Sequence, residues 1–130
     1  MSIIRGKKIL VVDGDIGPRE SIRMILETYG AIVRTADDGN EALKLLEANS
    51  FDLITTSLRV DGMNGIELCK EIHARRITTP VVVITLYRWF KEGDIEGVVD
   101  CIVKPFDLED VRSRIEKVLE YSPKPNQGLH

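Results

Sequence analysis

Phe51-Asp52-Leu53-Ile54-Thr55-Thr56-Ser57 is an apolar, β-branched run that stops in a polar, glycine-bearing loop, Leu58-Arg59-Val60-Asp61-Gly62-Met63-Asn64-Gly65. It reads as a buried strand followed by a turn into a helix. Three other runs have the same form. Lys7 to Val12 is apolar without alternation and ends at Asp13-Gly14-Asp15. Val81-Val82-Val83-Ile84, the most β-branched run of the chain, ends at Thr85. Val98 to Val103 ends at Lys104-Pro105, and a shorter strand is expected from Ala31 to Thr35.

Helical patterns separate these runs. Pro18-Arg19-Glu20 suits a helix start, Ile22, Ile25 and Leu26 recur at helical spacing, and Tyr29-Gly30 closes the segment. Gly39 to Ala48 turns Ala42, Leu43, Leu45 and Leu46 to one side, and Ile66, Leu68, Cys69 and Ile72 mark a third helix. Asp107 to Tyr121 forms the last. It has acids at its positive end and a stripe of Leu108, Val111, Ile115, Val118 and Leu119. Alternation of this kind predicts an α/β fold, a parallel sheet with helices on both faces. Residues 1–121 are expected to form the domain, and 122–130, rich in proline and polar residues, a tail or linker.

The 130 residues suffice for one core, and 43% hydrophobic with 30% charged residues is an ordinary globular balance. A net charge of −3 gives no reason to expect direct contact with nucleic acid or an anionic membrane. No apolar stretch is long enough to span a bilayer, and residues 1–6 lack the apolar core of a signal peptide, so a cytoplasmic protein is expected. Cys69 and Cys101 lie far apart without metal-ligand spacing and read as buried or half-buried thiols.

Four strand ends carrying acid, polar hydroxyl, hydroxyl and lysine in this order resemble the receiver domain of bacterial response regulators. The resemblance runs from about Lys7 to Tyr121 and rests on Lys8-Ile9-Leu10-Val11-Val12-Asp13, Gly62-Met63-Asn64-Gly65, Val82-Val83-Ile84-Thr85 and Val103-Lys104-Pro105-Phe106. It implies a five-stranded sheet in the order 2-1-3-4-5, with a cis peptide before Pro105. It also implies chemistry: an aspartate nucleophile takes a phosphoryl group, Mg²⁺ held by carboxylates neutralises the oxygens, and a lysine, a threonine and an aromatic residue respond.

Against that pattern this chain departs at several positions. Ser57 stands where the family has the phosphoacceptor aspartate. A serine hydroxyl is neutral and weak without an adjacent base, and His73, on the third helix, is not placed to be one. Gly14 replaces the second of the paired acids, leaving Asp13, with Asp15 one place later as a weak metal candidate. Three aspartates and one lysine leave net negative charge for Mg²⁺ to balance, whereas Asp13 with Lys104 sums to zero. Cys101 occupies the place of the switch aromatic, and Leu86 is expected to narrow the entrance beside Thr85. The segment from Leu86 to Gly97 is about one helical turn shorter than usual and contains Gly93, so its helix, the fourth, is expected to be short or irregular.

The expectation is a degenerate receiver: not an enzyme, without catalytic residues, binding Mg²⁺ weakly or not at all and needing no cofactor. It would act by contact with a protein partner, a histidine kinase or an output domain. Trp89 and Phe90 are candidate contact residues, although one ring closing the core and one half exposed is the plainer reading. Arg88 reads as solvated, and Arg75-Arg76 as cations at a helix end. Two alternatives stand beside this. One is an ordinary phosphorelay receiver with a substituted acceptor. The other is a small haloacid dehalogenase-type phosphatase, whose first motif Asp13-Gly14-Asp15 resembles and to whose later motifs Ser57 and Lys104 would correspond. For that family the chain is short and lacks a later acidic pair.

Overall fold

The computed structural model describes residues 2–59, 62–91 and 93–121. The tail expected at 122–130 lies outside the described residues. The elements run β1 (Lys8–Val12), α1 (Ile16–Thr28), β2 (Ile32–Ala36), α2 (Gly39–Ala48), β3 (Leu53–Thr56), α3 (Gly65–Ala74), β4 (Val81–Thr85), β5 (Val98–Val103) and α4 (Leu108–Tyr121). The five strands form one parallel sheet in the order β2-β1-β3-β4-β5. In-register pairs near the strand ends, Val12 with Ala36, Val12 with Thr56 and Thr85 with Val103, bring those ends to one edge.

The period of two along each strand sorts the core into two layers. Leu10, Val12, Ile54, Val81 and Val83 face α2 and α3. Ile9, Val11, Leu53, Val82 and Ile84 face α1 and α4. Both faces of β1 and β4 are buried, which explains why they read as unbroken apolar runs. The Asp38 carboxylate caps α2 by accepting from the Asn40 and Glu41 amides, at 2.6 and 3.2 Å. Asn64 caps α3 through the Glu67 amide at 2.8 Å. Helix α1 begins two residues before Pro18, which sits within the first turn, where a missing N–H costs no helical bond. Its C-cap is Tyr29, and the next residue, Gly30, takes a φ of 94° close against Arg5.

Three expectations change. No helix forms between β4 and β5 among the described residues, where a short or irregular one was expected; the connection is made of turns. Leu108 is 57% exposed rather than buried, because it opens α4 at a surface groove shared with Met24 and Tyr29 rather than under the sheet. The buried stripe of α4 is Val111 and Ile115, flanked by half-buried Val118 and Leu119. Phe90, a candidate contact residue, is 3% exposed and belongs to the core layer of α2 and α3, so of the two readings of Trp89-Phe90 the plainer one, a ring closing the core, holds. It fills the face that a helix between β4 and β5 would cover, and its neighbour Trp89 is 62% exposed. No helix among the described residues is long and apolar enough to cross a membrane.

Phe90→Ala should therefore destabilise the domain by about 3–5 kcal/mol in urea denaturation, as a large core ring removed does. Trp89→Ala should stay within about 0.5 kcal/mol of the parent. Equal losses at the two positions would contradict this placement of the rings.

Candidate functional site

The site grows from the ends of β1, β3, β4 and β5. Asp13 continues β1, its amide donating to the Ala36 carbonyl at 3.1 Å. Its side chain is buried. Asp13 Oδ1 accepts from the Asp15 amide at 2.9 Å, and Oδ2 lies 3.7 Å from Lys104 Nζ. The latter is an ion-pair contact without a short hydrogen bond. Burial pushes the Asp13 carboxyl above its ordinary value, and the Asp15 amide and the Lys104 charge pull the other way without cancelling it.

Ser57 follows β3 on the neighbouring strand. It is buried, and its amide donates to the Val12 carbonyl at 3.0 Å. Its hydroxyl oxygen accepts from the Arg59 amide, also at 3.0 Å. The Ser57 side chain thus caps its own turn. The next helix presses on the same point: a Cβ on Gly65 would sit 2.1 Å from the Ser57 carbonyl oxygen, so only glycine fits there. Gly14 contributes backbone, its amide donating to the Arg59 carbonyl at 3.0 Å. The loop after β3 is therefore bound from both sides, through Ser57 and through Gly14.

Thr85 is buried at the end of β4, and its hydroxyl oxygen accepts from the Tyr87 amide at 3.1 Å. Its carbonyl accepts from the Lys104 amide at 2.8 Å, and the Lys104–Pro105 peptide is cis, as the resemblance implied. Cys101 is buried on β5, its thiol donating to the Phe90 carbonyl at 3.7 Å. Neither it nor Cys69 forms a disulfide.

The structure brings Asp13, Gly14, Ser57, Thr85 and Lys104 to one edge of the sheet. It keeps Trp89 and Phe90 apart from them. Trp89 stacks on Tyr87, with centroids 5.6 Å apart, and meets Phe90 edge-on at 6.1 Å. Leu86, expected to narrow the entrance, is 65% exposed, and Arg88 is exposed without an ion pair among the described residues. His73 meets Glu96 at 2.8 Å, both in exposed positions.

Three participants were missed in the sequence. Arg19 Nη1 donates to the Asp13 carbonyl at 2.9 Å, and the Arg59 amide holds Ser57. Tyr87 both bonds Thr85 and supports Trp89. The two-residue spacings Ser57 to Arg59 and Thr85 to Tyr87 suit local hydroxyl turns and offered a signal. Arg19 offered none.

The side-chain oxygen donors buried at this edge that bear on a Mg²⁺ site are one carboxylate, on Asp13, and the Ser57 and Thr85 hydroxyls. That ion requires near-octahedral oxygen ligation. Here one buried carboxylate already contacts an ammonium group, Gly14 has no side chain, and Ser57 offers a hydroxyl engaged by an amide. Among the described residues, no three His, Cys, Asp or Glu side chains group as a metal site.

Comparison with known proteins agrees with this fold. The family model of the response regulator receiver domain matches residues 9–116. The transcriptional regulatory protein CiaR of Streptococcus pneumoniae is 33% identical over 124 residues, 93% of this chain and 55% of that protein. The alkaline phosphatase synthesis transcriptional regulatory protein PhoP of Bacillus subtilis is 32% identical over 123 residues, 89% and 50% of the two chains. The chain thus spans about half the length of these relatives. Among solved structures, the receiver domain of the Francisella response regulator 1452 superposes with a TM-score of 0.80 at 29% identity, covering 91% of this chain and all of that one. TrrA of Thermotoga maritima, solved in complex with Mg²⁺ and BeF, gives 0.78 at 27% identity, covering 86% and 98%.

A carboxyl whose pKa rises on folding favours the folded state at acidic pH, and loses that contribution as pH climbs through its folded pKa. Asp13→Asn removes this dependence while keeping an acceptor for the Asp15 amide. Between about pH 3 and pH 7 the variant should gain stability relative to the parent in urea denaturation. A difference that stays constant, or shrinks, with pH would contradict burial as the dominant influence on Asp13.

Proposed function

The chain belongs to the response regulator receiver family of two-component signalling, and from that premise we propose a receiver that signals by protein contact without aspartyl phosphorylation. One observation carries this reading. Where the phosphoacceptor carboxylate would stand, the Ser57 hydroxyl accepts its own turn's Arg59 amide, beside an Asp13–Lys104 pair that is already neutral. Such a pocket has no nucleophile of useful strength and no charge surplus for a divalent cation. In this reading the protein is not an enzyme and requires no cofactor.

The coupling route of the family is altered as well. Cys101 has no ring to turn, and its thiol is occupied by the Phe90 carbonyl. The Thr85 hydroxyl is held by Tyr87. A state change needs a ligand that distinguishes two states, and a phosphoryl group is not available to do so. Signalling then rests on a constitutive surface. The stacked pair Tyr87 and Trp89 with Leu86 is the contact region proposed, and Phe90 supports it from below. Its partner would be a histidine kinase or an output domain, in the cytoplasm, with no direct contact to nucleic acid or membrane.

Incubation with acetyl phosphate and Mg²⁺ should leave the intact mass unchanged. A stoichiometric phosphoryl adduct would overturn the proposal in favour of an ordinary phosphorelay receiver. Ser57→Asp alone should not restore Mg²⁺-dependent beryllofluoride shifts by NMR, whereas Ser57→Asp with Gly14→Asp should. In pull-downs from the native host, Trp89→Ala should weaken capture of the partner about tenfold or more, and Thr85→Ala should not.

A further inference from the structure

The connection from β4 to β5 leaves a cavity of about 620 Å³ beside the C-terminal end of α3, at the sheet edge opposite the Asp13 site. Its volume falls in the range of about 300–1,000 Å³ common for small-molecule sites. Cys69, Ile72, Ile77 and Val81 form its apolar side. Burial pushes the Cys69 thiol up to about 12, so this side carries no charge at neutral pH. The His73–Glu96 pair, with Nε2 and Oε2 2.8 Å apart, closes another side.

Arg76 is the anomaly. Helix α3 ends in a Schellman motif, with the Arg76 amide donating to the His73 carbonyl and the Ile77 amide to the Ile72 carbonyl. The left-handed position of that motif normally takes glycine. Here Arg76 holds it at φ 59°, as no other non-glycine among the described residues does. Arg76 is an exposed residue on the lining of the cavity, and its guanidinium has neither an ion pair nor a hydrogen bond among the described residues. An unfavourable backbone position thus carries a cation without an ion pair beside a cavity that has one apolar side. Strain of this kind marks sites where the side chain serves something other than the helix end.

We propose that this cavity binds a small amphipathic organic anion, its apolar body on Cys69, Ile72, Ile77 and Val81 and its anionic group on the Arg76 guanidinium. The site is separate from the strand ends and does not depend on whether Ser57 is phosphorylated.

The test is a ¹⁵N NMR titration of the full chain with 8-anilino-1-naphthalenesulfonate and with the uncharged N-phenyl-1-naphthylamine. Saturable shifts should centre on Cys69, Ile72, Ile77, Val81 and Gly97 for both probes. Arg76→Gly suits the left-handed position better than arginine, so the variant should fold. It should weaken the sulfonate probe about five- to tenfold and leave the neutral probe within about twofold. Absence of saturable binding, or shifts centred on Trp89, would overturn the proposal. So would Arg76→Gly changing both affinities equally or neither.

Discussion

A parallel sheet exposes apolar side chains on both faces, and every strand crossover must help to cover one of them. That requirement governs this molecule. Helices α1 and α4 cover one face, and α2 and α3 cover most of the other. Among its described residues, the connection from Leu86 to Gly97 supplies turns where a helix would complete the second face. Phe90 meets the demand locally by driving its ring into the core. The solution is partial, because one ring has less reach than a helix. Its two consequences are the outward Trp89 with Tyr87 beneath it, and the cavity by the end of α3.

At the opposite edge the constraint is electrostatic. Burial disfavours the charge on Asp13, and the compensation comes from one ammonium group and one backbone amide. Five buried polar residues, Asp13, Thr55, Thr56, Ser57 and Thr85, gather on the last turns of the central strands and just beyond them. No buried side-chain nitrogen or oxygen among the described residues lacks a hydrogen-bond partner. In a network satisfied in this way, any rearrangement must desolvate a group or leave it unpaired. The internal pairing of Ser57 and Thr85 with their own turns supports a settled conformation.

The two edges are joined by the connection itself. Tyr87 bonds Thr85 at one end, and Glu96 meets His73 at the other. Between them the Phe90 carbonyl holds the Cys101 thiol. An occupant in the cavity beside Gly97 would therefore press on the same short segment that presents Trp89.

Much of this was legible in the residues. Gly39 to Ala48 and Val98 to Val103 were read with the bounds they have in the fold, because capping residues and β-branched runs announce themselves locally. The strand expected from Phe51 begins instead at Leu53, though Phe51 is buried: apolar character marks the core, and only pairing with a neighbour makes a strand. Sequence by itself determined the alternation of elements, the side chains available at the four strand ends, and the departures at Gly14, Ser57 and Cys101. Tertiary structure decided which of two adjacent rings turned inward, which amide the Ser57 hydroxyl would accept, and that Arg76 would stand on a cavity lining without an ion pair of its own. Periodicity and capping act over a few residues and leave a local pattern. A ring's burial, a hydroxyl's partner or a guanidinium's isolation depends on atoms that distant parts of the chain bring close, and no local pattern encodes them.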